Sequence, residues 1–302
     1  MARRRNQGRA VNDILLLNKP IGISSNTALQ KAKRIFNAAK AGHTGSLDNL
    51  ATGLLPICFG EATKISGFLL DANKRYRAEC ILGQTTTTAD AEGEIVATFP
   101  TEHITQALLE TTLQQFIGDS EQIPPMYSAL KKEGQPLYKL ARQGQTVERA
   151  ARNITIYDIK LLNFTATKFT IEVSCSKGTY IRTLAEDIGK SLNSGAYIGA
   201  LHRIGVGQFN DMYDFASLEE KAMQGFETLD NILIPMHIAL SHWQSVTLDN
   251  DKAYYLKQGQ KIHITDVPTA ELVTLFENEQ FIGIGKVLED GRIAPKRLLR
   301  ME

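Results

Sequence analysis

The pattern of apolar and polar residues predicts both strands and helices along the chain. One strand candidate alternates cleanly, with Phe169, Ile171 and Val173 on one side and Thr170 and Glu172 on the other. Other runs rich in apolar residues favour shorter or more deeply buried strands. The predicted strands lie at residues 13–17, 76–82, 154–162 and 168–175.

Apolar residues spaced three and four positions apart predict helices between these strands. In the first helix, Leu29, Ala32, Ile35 and Phe36 share one face, and the polar residues 24–26 before it favour an N-cap. The same spacing predicts helices at residues 104–116 and 181–192, and residues 216–243 favour helical and connecting structure.

The order of these elements predicts an α+β fold with a mixed or antiparallel central sheet, because strands and helices do not alternate regularly. Residues 13–243 form the predicted main domain, and short strands predict a small β-rich domain at residues 245–302. Residues 123–152 contain three prolines and little periodicity, which indicates a long excursion from the core. Residues 1–12 are polar and basic and are predicted to form a disordered arm.

The composition is that of a folded protein, since 43% of the 302 residues are hydrophobic and 22% are charged. No apolar run is long enough to cross a membrane, and no apolar signal core follows the basic N-terminus. The three cysteines, Cys58, Cys80 and Cys175, form no close pair, which favours a reducing compartment and argues against a metal site. The cytoplasm is therefore the expected location.

The charge is unevenly distributed, although the net charge is only +1. Residues 1–90 hold 13 Lys and Arg against 6 Asp and Glu, so the remainder of the chain is acidic. This asymmetry indicates an N-terminal half that faces a polyanion. The alternative is a scatter of solvated surface charges.

Residues 42–56 are the densest group of reactive and flexible positions, and their lack of periodicity predicts a loop. Asp48 lies within it and is the only acidic residue between Asp13 and Glu61. Such a carboxylate is more often an Asx-turn or a helix cap. The alternative is a nucleophile or a general base.

Two further segments could carry chemistry. In residues 176–182, which lead from a strand into a helix, Arg182 lies in the first helical turn and opposes the helix dipole. A buried carboxylate partner would explain this position, whereas an ordinary surface arginine is the simpler interpretation. In residues 74–77, basic residues flank Tyr76, as in sites that stack a nucleobase, although a strand tyrosine is more often part of a core.

Six segments in this order resemble motifs of the TruB-type tRNA pseudouridine-55 synthases. They are NKPIGIS at 18–24, the segment with the family's aspartate at 42–56, KRY at 74–76, IPPMYSAL at 123–130, SKGTYIR at 176–182 and ALHR at 200–203. Asn49 follows Asp48 where the family usually has proline. The resemblance runs from about residue 13 to the C-terminus. It implies the pseudouridine synthase fold, followed by a PUA-like domain at residues 245–302.

The resemblance implies that the protein isomerises a uridine to pseudouridine at position 55, in the T-loop of tRNA, without a cofactor. Asp48 would be the nucleophile and would attack the ribose or, alternatively, the pyrimidine ring of a flipped nucleotide. Arg182 would pair with Asp48 and keep the carboxylate ionised, because burial would otherwise raise its pKa.

The resemblance also implies residues that hold the RNA. Tyr76 would stack on the flipped uridine, and Tyr180 and Leu201 would line its pocket. His43 would fill the space that the uridine leaves, and Lys19 of the first motif is expected to contact the RNA or the uridine. Residues 123–152 would clasp the RNA loop, and the C-terminal domain would hold the acceptor side of the tRNA.

The expected partner is therefore the T-arm of tRNA, with no guide RNA and no membrane, and the chain is expected to be a monomer. One alternative is an RNA-folding chaperone in which catalysis is incidental, and the two activities could coexist. A second is a guide-RNA-dependent relative that modifies ribosomal RNA within a complex. The short C-terminal domain and the lack of a long lysine-rich tail favour the stand-alone enzyme. A structural protein without an RNA partner is disfavoured by the ordered motifs.

Overall fold

The computed structural model describes residues 8–128 and 130–300. The strands are β1 (Asp13–Lys19), β2 (Ala41–His43), β3 (Thr52–Phe59), β4 (Lys74–Leu82), β5 (Gln84–Thr86), β6 (Ile95–Thr98), β7 (Gly118–Gln122), β8 (Lys131–Lys132), β9 (Gln135–Pro136), β10 (Arg152–Thr165), β11 (Lys168–Cys175), β12 (Ala196–Val206), β13 (Ser245–Leu248), β14 (Leu272–Glu277), β15 (Gln280–Val287) and β16 (Ile293–Leu298). The helices are α1 (Ser25–Ile35), α2 (Ser66–Asp71), α3 (Gln106–Gln114), α4 (Leu137–Arg142), α5 (Ile181–Ser191), α6 (Phe215–Gln224), α7 (Phe226–Asp230) and α8 (Asn250–Lys257), with 3-10 helices at Gly60–Lys64 and Met236–Leu240.

The main domain is built on an eight-stranded sheet in the order β1-β3-β12-β4-β11-β10-β7, with β2 added to β3. The pairing of β12 with β3 is parallel, and the other neighbours in this sheet pair antiparallel. The prediction of an α+β fold with a mixed sheet is confirmed.

The sheet contains a strand, β3, that the sequence pattern did not predict; it lies between β1 and β12. β3 is buried at every position except its first, so both of its faces are apolar and the alternation that marks a half-exposed strand is missing. Its partner β12 approaches closely at Gly53, where a φ of 100° and the contact with the Arg203 carbonyl leave no room for a side chain. The predicted loop at 42–56 is therefore shorter, because β2 and β3 occupy its ends.

Helices pack on this sheet in two apolar clusters. In the first, α3 and α5 bury apolar residues such as Leu109 and Leu184 in a core shared with β4, β10 and β11. In the second, α1 buries Leu29 and Ala32 against β1 and β3. The predicted cap of α1 is confirmed, since the Ser24 hydroxyl accepts a hydrogen bond from the Thr27 N–H at 3.0 Å.

The C-terminal residues form a β-rich domain, as predicted. Its sheet has the order β13-β14-β15-β16 and packs with α8 around a core of its own. A separate apolar cluster joins this domain to the main one and includes Met236, Leu240, Phe281 and Ile284. The likeness to a PUA domain stays a prediction.

The predicted arm at 1–12 falls partly on residues 1–7, which lie outside the described residues. For residues 8–12 the prediction is wrong, because Val11 is buried and Arg9 donates to both carboxylate oxygens of Asp230, at 2.9 and 2.7 Å. The described part of residues 123–152 holds the β8–β9 hairpin and α4. Within the described residues, no helix has the length and apolar character needed to cross a membrane.

Candidate active site

The loop that carries Asp48 joins β2 to β3 and is anchored by its neighbours. The Ser25 hydroxyl accepts from the Leu47 N–H at 2.8 Å and donates to the Leu47 carbonyl at 3.1 Å. The Gly22 N–H donates to the Asn49 carbonyl at 2.8 Å. The loop is thus fixed on both sides of Asp48 by residues at and just before the start of α1.

Lys19 lies beneath this loop rather than at its surface. Its side chain is 0% exposed, and its ammonium donates to the carbonyls of Pro20 at 2.9 Å, Ile23 at 2.8 Å and Asn49 at 3.5 Å. Burial lowers the pKa of Lys19 to about 8. The expected contact of Lys19 with RNA is therefore corrected, since a fully buried ammonium bonded to three carbonyls has no face left for a ligand.

Asp48 and Arg182 meet in space, far apart in the sequence. The Arg182 Nε lies 3.0 Å from Asp48 Oδ2, and the side chains are 5% and 44% exposed respectively. The Arg182 guanidinium also donates to the carbonyls of Thr88 at 3.1 Å and Tyr127 at 2.6 Å. These bonds fix the plane of the guanidinium and explain why an arginine lies in the first turn of α5.

A second carboxylate shares this arginine, and sequence reasoning missed it. Asp90 Oδ2 lies 3.3 Å from Arg182 Nη1, and its side chain is 3% exposed. Hydroxyl donors hold the Asp90 segment, with Thr86 bonded to the Asp90 carbonyl at 2.7 Å and Thr88 to Asp90 Oδ1 at 2.5 Å. The one sequence signal was an acid at the end of a run of threonines, which is equally typical of a turn.

The electrostatics of Asp48 reflect these neighbours. Desolvation is the largest effect and raises the pKa of Asp48 above its ordinary value, and the charge on Asp90 raises it further. The positive charges of Arg182 and Lys19 oppose this rise. Burial therefore disfavours the ionised form of Asp48 and two neighbouring cations favour it, a combination that is typical of a reactive carboxylate.

Asp48 opens onto a cleft of about 390 Å³ that four other predicted residues also line. These are Tyr76, Tyr180, Arg182 and Leu201. Tyr76 and Leu201 are 9% and 8% exposed. The backbone of Tyr180 is held by the amide of Gln122, which accepts from its N–H at 2.8 Å and donates to its carbonyl at 3.1 Å.

His43 lies on the other side of the loop that carries Asp48. It lines a neighbouring cavity of about 450 Å³, to which Asp48 and Arg182 also contribute. Burial lowers the pKa of His43, with a smaller effect from Arg203, so the imidazole is neutral at pH 7. The structure thus brings His43 and the cleft residues around one carboxylate.

Known protein families match most of this chain. Residues 33–181 match the TruB family pseudouridylate synthase N-terminal domain, and residues 182–241 match the tRNA pseudouridylate synthase B C-terminal domain. Residues 245–299 match the C-terminal domain of pseudouridine synthase II TruB. The chain is 53% identical over 299 residues to tRNA pseudouridine synthase B of Nitrosococcus oceani, covering 98% of this chain and 97% of that protein. The chain belongs to the TruB family of pseudouridine synthases.

Other relatives and solved structures extend this result. The TruB-family protein tRNA pseudouridine synthase B of Stutzerimonas stutzeri is 50% identical over 307 residues, covering 100% of both chains. A chain from a Cbf5-Nop10-Gar1 complex superposes with a TM-score of 0.74 at 23% identity, over 96% of this chain and 85% of that one. A chain from an H/ACA RNP bound to a substrate RNA gives a TM-score of 0.72 at 20% identity, over 99% and 92%. At these identities the two structures establish the pseudouridine synthase fold alone.

Proposed function

We propose that this TruB-family enzyme isomerises uridine 55 in the T-loop of tRNA to pseudouridine, with Asp48 as the nucleophile and without a cofactor. The observation that carries the proposal is the 3.0 Å contact between Arg182 and Asp48 at the wall of a cleft. The tRNA substrate is supported by full-length relatives that bear the name tRNA pseudouridine synthase B.

The reaction begins when the target nucleotide is flipped out of its loop, at a cost of a few kcal/mol. Arg182 binds Oδ2 of Asp48, which leaves Oδ1 as the oxygen available for attack. Attack on the ribose C1′ breaks the bond to N1, the base turns, and its C5 bonds to C1′ as the carboxylate leaves. C5 loses a proton and N1 gains one, so the sum is an isomerisation. Attack on the ring instead of the ribose gives the same balance.

The remaining site residues are proposed to hold the base during this turn. Tyr76 stacks on the flipped uracil, while Tyr180 and Leu201 close the pocket around it. His43, neutral and on the far side of the loop, fills the space in the RNA that the uridine leaves. Lys19 is buried under the loop that carries Asp48. Its positive charge lowers the pKa of Asp48, and its ammonium donates a hydrogen bond to the Asn49 carbonyl.

Recognition of the RNA is proposed to depend on shape. Residues 123–152 clasp the RNA loop, and basic side chains including Lys131, Lys132, Arg149 and Arg152 surround a small depression in this segment. The C-terminal domain holds the acceptor side. Because the net charge is only +1, we expect a modest dependence of affinity on salt. A monomer in the cytoplasm is the expected state.

The purified chain is expected to convert one uridine in an unmodified tRNA transcript with no other component. Pseudouridine mapping by chemical labelling and primer extension would place the product at position 55. A transcript with cytidine at this position is the control and should give no product. A requirement for a guide RNA, or a product at another position, would contradict the proposal.

Removing the charge of Lys19 is expected to move the acid limb of the pH–rate profile. The positive charge of Lys19 lowers the pKa of Asp48, so Lys19→Met raises it, and a higher pH is needed to ionise the nucleophile. Single-turnover rates between pH 5 and 8 would measure this shift. We expect a loss in stability of about 1–3 kcal/mol, because three carbonyls lose a donor. An unchanged acid limb would remove Lys19 from this electrostatic role.

A further inference from the structure

Either course of the proposed reaction places negative charge on the uracil ring. If Asp48 attacks C1′, the base leaves with the electron pair of the broken bond, and the charge spreads to O2 and O4. If Asp48 adds to C6 of the ring, the charge develops as an enolate at O4. Fixed positive charge near these oxygens would stabilise the transition state in both cases.

Lys74 is a buried cation in the wall of the cleft, two positions before Tyr76 on the inward face of β4. Its side chain is 7% exposed. The ammonium donates to the carbonyls of Leu70 and Ala72, both at 2.5 Å, at the end of α2. An ammonium has three N–H donors, so these two bonds leave one for a ligand.

Arg203 is a second buried cation in the same wall, and it is 1% exposed. Its Nε donates to the Leu54 carbonyl at 2.6 Å, and its Nη2 donates to the Gly45 carbonyl at 3.1 Å. These carbonyls lie in β3 and in the loop that carries Asp48, so Arg203 is held by the same segment of chain as Asp48.

The charges in the cleft are separated. Arg182 is matched by two carboxylates, Asp48 and Asp90. Within residues 8–128 and 130–300, by contrast, no carboxylate lies within 4.0 Å of the charged nitrogens of Lys74 or Arg203. The cleft therefore holds an Asp48 carboxylate paired with Arg182 and, apart from that pair, two cations with no carboxylate partner, although burying an unpaired cation is costly.

We propose that Lys74, supported by Arg203, binds the uracil ring and stabilises the negative charge that develops on its oxygens. This inference rests on the proposed function and extends it, because it assigns the base end of the pocket to residues distinct from the Asp48–Arg182 pair. The third N–H of Lys74 donates to a uracil oxygen. No proton is transferred from Lys74, so the atom balance of the isomerisation is unchanged.

The test separates the charge of Lys74 from its hydrogen bonds. Lys74→Gln keeps an N–H donor for the α2 carbonyls without the charge, Lys74→Met removes both, and Lys74→Arg keeps the charge. In single-turnover assays on tRNA, we expect the Gln and Met variants to be slower by about 100-fold, with Lys74→Arg within about 10-fold of the original enzyme. Affinity for the RNA should change by less than about 3-fold.

A second substrate distinguishes a direct role from a structural one. Fluorine at C5 of the target uridine withdraws electrons and stabilises the anionic ring, so the loss of Lys74 should matter less. We expect the Gln variant to lose about 10-fold on this RNA, against about 100-fold on uridine RNA. Loss of the fluorinated nucleoside from nuclease digests measures the rate. Equal losses on both RNAs, or a normal rate for Lys74→Gln, would overturn the proposal.

The pH dependence gives an independent measurement. Burial, followed by the charge on Arg203, lowers the pKa of Lys74 to about 8. Of the other groups that face it, Cys175 has its pKa raised to about 11, and Asp71 and Lys177 are paired at 2.9 Å. The rate should fall as pH rises through about 8, and Lys74→Arg should move this basic limb to higher pH. A basic limb that does not move would contradict the role of the Lys74 charge.

These assays also separate the two proposals. If the unaltered chain converts no uridine in tRNA, the proposed function fails, whatever the variants do. If the unaltered chain is active but Lys74→Gln has a normal rate, or loses the same factor on uridine RNA and on fluorinated RNA, only the role of Lys74 fails. Should Lys74→Met not fold, the Gln and Arg variants still decide the question.

Discussion

Replacing Asp48 by asparagine is expected to abolish pseudouridine formation and to leave RNA binding intact. The amide has nearly the shape of the carboxylate but is not a nucleophile, so we expect a loss of at least about 10⁴-fold in the single-turnover rate. The variant should be at least as stable as the original protein, because desolvation raises the pKa of Asp48 and thus disfavours its ionised form at neutral pH.

The measurements for Asp48→Asn are release of tritium from C5 of labelled uridine, RNA affinity by filter binding, and thermal unfolding. Asp158→Asn is a matched control, because its carboxylate is 51% exposed and pairs with Lys160 at the surface. This control should be nearly fully active. Turnover by Asp48→Asn would remove Asp48 from its role. Retained tRNA folding activity in the same variant would establish a chaperone function beside catalysis.

Replacing Arg182 by methionine is expected to impair both activity and stability. Asp48 loses the charge that most lowers its pKa, and Asp90, whose side chain is 3% exposed, is left as a buried carboxylate without its partner. We expect the free energy of unfolding to fall by about 3–5 kcal/mol and the rate by at least about 10³-fold. Chemical denaturation and single-turnover kinetics measure the two effects.

A second substitution separates these effects of Arg182. Adding Asp90→Asn to Arg182→Met removes the buried unpaired charge, so stability should be largely recovered while activity stays lost. Arg182→Lys should keep part of the stability but little activity, because an ammonium cannot reproduce the planar guanidinium contacts. Near-normal activity of Arg182→Met would show that Asp48 needs no guanidinium.

Much of the fold could be predicted where a strand or helix has one exposed face. β11 was predicted with its observed bounds because its buried and half-buried positions alternate. β3 could not be predicted, since a strand buried on both faces shows no period of two and cannot be distinguished from an apolar stretch of loop. The short hairpin of β5 and β6, with few buried residues, also left no clear pattern.

The sequence indicated some residues of the site and missed or misjudged others. Position in a loop and an unusual place on a helix drew attention to Asp48 and Arg182, but only the resemblance to the TruB family implied that they meet. Asp90 was missed because its burial depends on β12, which pairs with it at Ile198, a contact made by the fold and not by local sequence. Lys19 was misjudged because the sequence does not reveal that three carbonyls surround its ammonium.

The central claim is that Asp48 meets a uridine that has been flipped out of the T-loop of tRNA. The most direct measurement is a crystal structure of the Asp48→Asn variant with a T-arm RNA. We expect uridine 55 in the cleft against Tyr76, with its ribose C1′ or its ring C6 about 3–3.5 Å from the substituted side chain. A uridine that stays stacked in the RNA loop, or one bound away from this side chain, would contradict the claim.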